Sequence, residues 1–314
     1  MPNRLKIRAP CKINLHLQIG DRRADGYHDI KSIFAALDFG DTLGFELFGP
    51  VGFCDIVTEL PLPSAENIVY KAISLYRSRT GFNRGLRVHL EKRIPLGGGL
   101  GGGSSDAASA LMALNTLAGD RLSPPELKAL AEQLGSDVPF FLTGGTVWPL
   151  WTVAWVSGRG EAIEPLPVPG NPQGTLQSSL AVVLVNPGFP SGTAEAFRQL
   201  DLWREQGGAE MVPVTILDDA LKRSLGGHPR DWPYENDFLP VFLAGKDAKA
   251  YGDIIARLKA LGADFSGLSG AGATCFGVFT DGGIAEKAAK ILSNEWKFVE
   301  LTFFLARSAV TVLE

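Results

Sequence analysis

From Gly97 to Gly103, six of seven residues are glycine, and Ser104, Ser105 and Asp106 lead straight into an Ala/Leu-rich segment with helical spacing. Consecutive glycines let backbone N–H groups turn toward one point. A helix N-terminus behind them adds unpaired donors and the positive end of its dipole. Such an arrangement holds anions, phosphate above all. Gly/Ser runs are more often flexible linkers, but linkers seldom continue into an amphipathic helix. The run lacks a Gly-Lys-Ser/Thr ending, so it is no P-loop.

Three further places carry reactive or stacking groups. Ile13, Leu15, Leu17 and Ile19 alternate with polar residues, which puts Lys12, Asn14, His16 and Gln18 on one face of a strand. A polar face with one lysine is usually solvated. Asp137 follows the helix stop at Gly135 and precedes Val138-Pro139-Phe140-Phe141. An aspartate there caps or turns the chain in most proteins, though such loops also carry catalytic groups. Tyr27 and His28 end the turn-rich connection from Gly20, an aromatic ring beside a polar handle, suited to stacking or to ordinary packing.

The elements that must position these residues read as follows. Residues 4–9 and 12–19 are two strands, interrupted or edged by Pro10. The apolar segment Ile30–Phe39 precedes strands at Asp41–Phe48 and Val51–Thr58, joined by a Gly49-Pro50 turn. A helix carries Ile68, Ala72, Ile73 and Tyr76 and stops near Gly81; Leu86–Leu90 alternates as a strand. After the glycines, Ser104 or Ser105 is the expected N-cap of a helix whose apolar stripe runs from Ala107 to Ala118. A capping box, Ser123-Pro124-Pro125-Glu126, opens the helix that ends at Gly135. The apolar Thr146–Val156 leads to a weaker glycine cluster, Ser157-Gly158-Arg159-Gly160-Glu161. The proline-rich Pro165–Pro172 is the expected connection between domains at 1–165 and 166–314. Beyond it come a buried strand at Leu180–Val185 and a helix from Ser191-Gly192-Thr193 through Phe197. Helices follow at Asp237–Leu243, Ala250–Leu261 and Ile284–Leu292, a small-residue turn at Leu268–Thr274 runs into a strand, and Leu301–Val312 closes the fold. Residues 201–235 are turn-rich and show no clear pattern.

The totals narrow the function classes. The formal net charge is −4 and the pI about 5.7, against a general polyanion binder, so no nucleic-acid partner is expected. The four His and three Cys have no metal-ligand spacing, and three scattered cysteines suit a reducing compartment. No stretch approaches a membrane span and no signal-peptide core opens the chain, so the expectation is a cytoplasmic protein acting on a small molecule.

Ala9-Pro10-Cys11-Lys12-Ile13-Asn14-Leu15, Pro95–Asp106 and Leu268–Phe279 resemble, in order, the three signature motifs of the GHMP small-molecule kinases, the superfamily of galacto-, homoserine, mevalonate and phosphomevalonate kinases. Arg23-Ala24-Asp25-Gly26-Tyr27-His28 and Gly135-Ser136-Asp137-Val138-Pro139 narrow the likeness to the branch acting on a cytidine-diphosphate-linked methylerythritol. It covers most of the chain and is weakest at 146–156, 170–178 and 201–235. Cys11 and Ser136 stand where Ala is usual, and Gly98 where Ala is frequent, all small for small. The stretch Trp148–Trp155 is longer and more aromatic than is usual before the Gly-x-Gly-Glu turn.

The resemblance implies an α+β, two-domain GHMP kinase fold: a ribosomal-protein-S5-like α/β domain, then a ferredoxin-like α+β domain, with the site in the cleft between them. It implies transfer of the γ-phosphoryl of ATP to a substrate hydroxyl, a reaction dominated by positioning and charge neutralisation. By position, Pro95, Leu96, Gly97, Gly98, Gly99, Leu100, Gly101, Gly102, Gly103, Ser104 and Ser105 cradle the ATP phosphates, and Asn67 belongs to the adenine pocket. Asp137 matches the catalytic base and Lys12 the lysine that orients it. Asn14, Tyr27, His28, Thr193 and Phe197 match contacts to the cytidine substrate, whose base would lie between Tyr27 and Phe197. Mg²⁺ is implied with ATP; its ligands are unread beyond Ser104 or Ser105, and oligomeric state is unread. Two rival readings are a homoserine- or mevalonate-type kinase, which Asp25-Gly26-Tyr27-His28 argues against, and a non-enzymatic nucleotide-binding module, which needs no Lys12 together with Asp137.

Overall fold

Strand β1 (Arg4–Arg22) and strand β2 (His28–Leu47) form a long antiparallel pair in a six-stranded sheet. The computed structural model describes residues 3–60, 63–142, 152–166, 180–208 and 218–305. The expected break at Pro10 does not occur. Register shifts between Pro10 and Lys12 and between Asn14 and His16 absorb it, as bulges do where a residue cannot donate to the ladder. Opposite the first bulge stands Gly40, where a Cβ would lie 2.1 Å from the Ala9 carbonyl oxygen. The second bulge breaks the alternation read from the sequence. Lys12, Asn14 and Leu17 line a cavity, while His16 turns into the core and stacks on Trp155. Nor is the Lys12 face solvated: Lys12, Asn14 and His16 are all buried.

The first sheet is completed by β3 (Cys54–Thr58), β4 (Leu86–Glu91), β5 (Val153–Gly158) and β6 (Ala162–Pro165), with β4 and β5 paired to different stretches of β2. Helix α1 (Ile68–Thr80) lies between β3 and β4 in sequence, capped by Asn67 and ended by Gly81 in the left-handed region. Helices α2 (Gly102–Leu117) and α3 (Pro124–Leu134) follow. The first turn of α2 forms inside the glycine run, with Gly101 as its N-cap at φ 68°, so neither Ser104 nor Ser105 caps it. A side chain at Gly101 would meet the Phe141 ring at 2.9 Å, which explains why the chain turns there on glycine.

The second half contributes β7 (Ala181–Asn186), α4 (Thr193–Glu205), α5 (Asp218–Ser224), α6 (Phe238–Leu243), α7 (Ala248–Ala260), β8 (Phe265–Leu268), β9 (Cys275–Phe279), α8 (Gly282–Leu292) and β10 (Phe298–Phe303). Its four strands are ordered β10-β7-β9-β8. Helices α1–α3 cover one face of the first sheet through Phe34, Phe45, Ile73 and Leu111. The other face meets the second sheet across Ile13, Ile33, Leu37, Val182, Leu184 and Phe276. Val183, Leu200, Ile254 and Leu292 bury the outer face of the second sheet under its own helices. Helix α5 falls in the stretch that had no sequence pattern. The proline-rich residues 167–172, Trp148–Trp151 of the aromatic stretch and residues 306–312 of the closing strand lie outside the described residues. Among the described residues no helix is long and apolar enough to cross a membrane.

Candidate active site

A cavity of about 870 Å³ opens where the glycine run, β1, α4 and the Ser269–Thr274 turn meet. Its first wall begins at Asp41, whose buried carboxylate accepts from the Arg93 and Ile94 amides at 2.6 and 2.8 Å and turns the chain out of β4. Beyond Ile94 the loop carbonyls face protein. Gly97 accepts from the Ser191 and Ala273 amides at 2.9 and 3.2 Å, and Gly98 from the Thr274 amide at 3.1 Å. Gly99 accepts from the Ser269 hydroxyl at 2.9 Å, and Leu100 from the Lys12 amide at 3.0 Å. Among the described residues, the amides of Gly98 to Ser104 find no protein acceptor. Paired carbonyls and unpaired N–H groups at a helix start make a concave anion site. At Gly98 a Cβ would stand 2.9 Å from Thr274 Oγ1, a packing reason for glycine at this position.

Lys12 and Asp137 sit on the same cavity. Lys12 Nζ lies 3.3 Å from Asp137 Oδ2, donates to Asn14 Oδ1 and stands 4.3 Å from the centre of the Phe34 ring. Asn14 is held in turn by donating to Ser32 Oγ at 2.9 Å. The lysine side chain is 4% exposed and the aspartate 30%, so the cation is fixed in the wall while the carboxylate reaches into the opening. Asp137 is placed by the Gly135 helix stop and by the single 3₁₀ turn Pro139–Phe141. Behind the glycine loop, Lys92 bridges Asp41 and Asp106, at 2.7 Å from Asp106 Oδ2. Burial pushes the Asp106 carboxyl up to about 8, against the pull of Lys92. Burial works against the Lys92 charge too, but its two carboxylates outweigh that and raise it.

At the other end, His28 Nδ1 is 3.0 Å from the Gly20 carbonyl oxygen and its Nε2 3.3 Å from Asp201 Oδ1. Phe197, on α4, stacks on His28 with ring centres 5.1 Å apart. Tyr27 is exposed, with the Arg159 guanidinium 5.2 Å from its ring centre. The pair expected to flank a base thus already has other partners: Phe197 lies on His28, and Tyr27 on Arg159.

Of the residues singled out from sequence, Lys12, Asn14, Tyr27, His28, Pro95 to Ser104, Asp137, Thr193 and Phe197 all line this one cavity. Asn67 and Ser105 do not. Asn67 is buried and uses its Oδ1 on the Val69 amide at 2.9 Å, while its neighbour Ile68 reaches the wall. Ser105 is fully buried, and its hydroxyl has no partner among the described residues. Gly270 and Ala271 supply the contact of the Leu268–Thr274 turn. Sequence reading missed Arg22, Lys92, Arg159, Arg198 and Asp201, which also line the cavity. Arg159 could have been found in the second glycine cluster, and Asp201 by its place one helical turn after Phe197. No group of three or more His, Cys, Asp or Glu suited to a metal occurs among the described residues. Ser104, in the first turn of α2, offers a side-chain hydroxyl on the cavity wall, a donor that fits Mg²⁺ when most of its ligands come from phosphates and water.

The GHMP kinases N-terminal domain profile matches residues 67–145 and the GHMP kinases C-terminal profile residues 243–297. The chain is 34% identical to a 4-diphosphocytidyl-2-C-methyl-D-erythritol kinase of Treponema pallidum over 304 residues, 93% of this chain and 96% of that one. Against the namesake enzyme of Thermodesulfovibrio yellowstonii identity is 35%, covering 93% and 95%. A chloroplastic relative from Arabidopsis thaliana is 38% identical, and there the match covers 71% of this chain and 55% of the longer plant protein. A crystal structure of 4-(cytidine 5'-diphospho)-2C-methyl-D-erythritol kinase superposes with a TM-score of 0.72 at 32% identity, over 95% of this chain and 99% of that one. Homoserine kinase from Cytophaga hutchinsonii, at 19% identity and a TM-score of 0.66, shares the fold. Matched by both GHMP kinase profiles and 34–35% identical over 93% of its length to two enzymes of that name, the chain belongs to the 4-diphosphocytidyl-2-C-methyl-D-erythritol kinase family of the GHMP kinases.

Proposed function

We propose that this chain transfers the γ-phosphoryl group of ATP to a hydroxyl of 4-diphosphocytidyl-2-C-methyl-D-erythritol, giving the 2-phosphate of the non-mevalonate isoprenoid precursor route. The observation that carries the reading is the placement of the Lys12–Asp137 pair, 3.3 Å apart, on the same cavity as the acceptor-free amides of the glycine loop. Phosphoryl transfer needs a held donor, a deprotonated nucleophile and stabilised charge.

Each requirement has a residue. The Gly98–Ser104 amides hold the phosphate oxygens through hydrogen bonds made before reaction begins, so no reorganisation is needed as charge shifts. Asp137, partly exposed, takes the proton of the attacking hydroxyl. Lys12 holds that carboxylate in place and offsets the negative charge that builds on the transferring group. Buried against Phe34, it acts in a medium that screens poorly. Ser104 would help hold Mg²⁺, which would neutralise β- and γ-phosphate charge when bound. Tyr27, His28, Thr193 and Phe197 take the cytidine end. A cytoplasmic setting accords with the three unpaired cysteines.

The test is a substrate panel with ATP and the purified chain: the cytidine diphosphate compound, homoserine and mevalonate. Phosphorylation of the first alone is expected. Turnover of homoserine or mevalonate without the cytidine compound would overturn the substrate, and ATP binding without any turnover would favour a nucleotide-binding module.

A further inference from the structure

Asp201 has no role in the transfer chemistry, yet its carboxylate lines the cavity. It stands four residues after Phe197 on α4 and so on the same helix face. Among the described residues its side chain meets one polar partner, His28 Nε2, at 3.3 Å. The other ring nitrogen of that histidine settles what Nε2 can offer. Nδ1 lies 3.0 Å from the Gly20 carbonyl, and a carbonyl only accepts, so Nδ1 carries a proton. In the neutral ring Nε2 is then an acceptor facing a second acceptor. In the imidazolium form Nε2 donates to one Asp201 oxygen and the other remains an acceptor. Either way, the wall beside the stacked Phe197 and His28 rings presents acceptor capacity and asks for a ligand donor.

We propose that Asp201 is a specificity-determining residue: its carboxylate, beside His28, accepts from the exocyclic amine of the cytosine and thereby rejects uracil. This rests on the cytidine substrate assigned above. The amine of cytosine carries two hydrogens and can serve both acceptors. Uracil places a keto oxygen there, which would face a carboxylate with no hydrogen between them. Sites built to hydrogen-bond a substrate donor reject analogues lacking it strongly, because the buried acceptor is left unpaired.

The experiment measures calorimetric binding of CDP and UDP to the full chain, and kcat/KM for the cytidine and uridine forms of the diphosphate-linked substrate. Wild type, Asp201→Asn and Asp201→Glu are compared. Wild type should favour the cytidine form. Asp201→Asn, whose amide can donate as well as accept, should lower the cytidine-to-uridine ratio by about 10-fold or more. The change should fall mainly on KM, and Asp201→Glu should recover part of the ratio. Should Asp201→Asn fold poorly, Asp201→Ser reads the same ratio. An unchanged ratio in a folded variant, with wild type still preferring cytidine, overturns the role of Asp201 alone. A wild type that does not distinguish the two bases overturns the cytidine assignment, and this proposal with it.

Discussion

Gly99 and Ser269 approach so closely that a Cβ on the glycine would sit 2.0 Å from the serine carbonyl oxygen. Gly99 also holds a φ of +73°, where side chains are strained whatever the space. The glycine loop and the Ser269–Thr274 turn are therefore one packed unit, tied by the Ser269 hydroxyl to the Gly99 carbonyl. Gly99→Ala should destabilise the fold by about 1–3 kcal/mol or more and weaken ATP binding. Gly103 provides the contrast. It lies inside α2, and a Cβ there would meet only Ile68 Cγ2, at 3.7 Å. Gly103 is only the second residue of α2, so Gly103→Ala should change stability by less than about 1 kcal/mol while crowding the phosphate wall, and its melting temperature should hold as its KM for ATP rises. Differential scanning fluorimetry and initial rates check both variants. Equal behaviour of the two would contradict this division of labour.

Removing the carboxylate and removing the ammonium should have separable results. Asp137→Ala is expected to lower kcat by about 10²–10⁴-fold with ATP still bound, because the phosphate-holding amides do not depend on it. Lys12→Met keeps an unbranched apolar stem but deletes the ammonium that lies over Phe34, and kcat should fall by roughly 10²–10³-fold. Single-turnover rates and equilibrium nucleotide binding measure these. An unchanged kcat in Asp137→Ala would remove the assignment of the base.

Much of this arrangement was legible locally. Gly81 ends α1, Ser123 and Glu126 cap α3 through a 3.0 Å bond from the Ser123 amide, and the apolar run from Leu180 to Val185 leads through the fully buried β7. These are short-range effects of capping, turn chemistry and burial, which neighbouring residues encode. The failures share a cause as well. Alternation along β1 put Lys12 and His16 on one solvated face. It could not reveal that a second sheet buries that strand from behind, or that a bulge after Asn14 separates the two side chains. The Asp41–Lys92–Asp106 bridge and the Asp201–His28 contact join residues remote in sequence, so only the tertiary fold brings them together.

Arg159 was visible only as part of a turn, and its side chain has a testable duty. Its backbone amide donates to Glu161 Oε2 at 2.7 Å, so the turn is held without the guanidinium. That guanidinium faces the Tyr27 ring and has no carboxylate partner among the described residues. A cation so placed can pin the ring and offset a substrate diphosphate. Arg159→Ala should raise KM for the cytidine substrate by about 2–5-fold, the range of an exposed cation–π contact, and leave KM for ATP within about twofold. A shift in the ATP constant instead would place Arg159 at the other end of the cavity.

His16 shapes the pH dependence of stability. Burial lowers its pKa to about 4, against the opposing field of Asp218. The geometry agrees: Nδ1 accepts from the Glu235 amide at 3.2 Å, so a proton on Nδ1 would set two donors face to face. Between its ordinary value of about 6.5 and the folded value, the unfolded chain binds a proton that the native chain refuses. Stability from this group is therefore full above about pH 6.5 and is lost as pH falls toward 4, by an amount of order 3 kcal/mol at most. His16→Asn keeps an acceptor for the Glu235 amide, loses the stack on Trp155 and does not titrate. At neutral pH the variant should be the less stable protein. Thermal midpoints of both proteins across pH 4–8 should draw together as the solution is acidified. A gap that stays constant across that range would mean that His16 takes up its proton in the native state as readily as in the unfolded one.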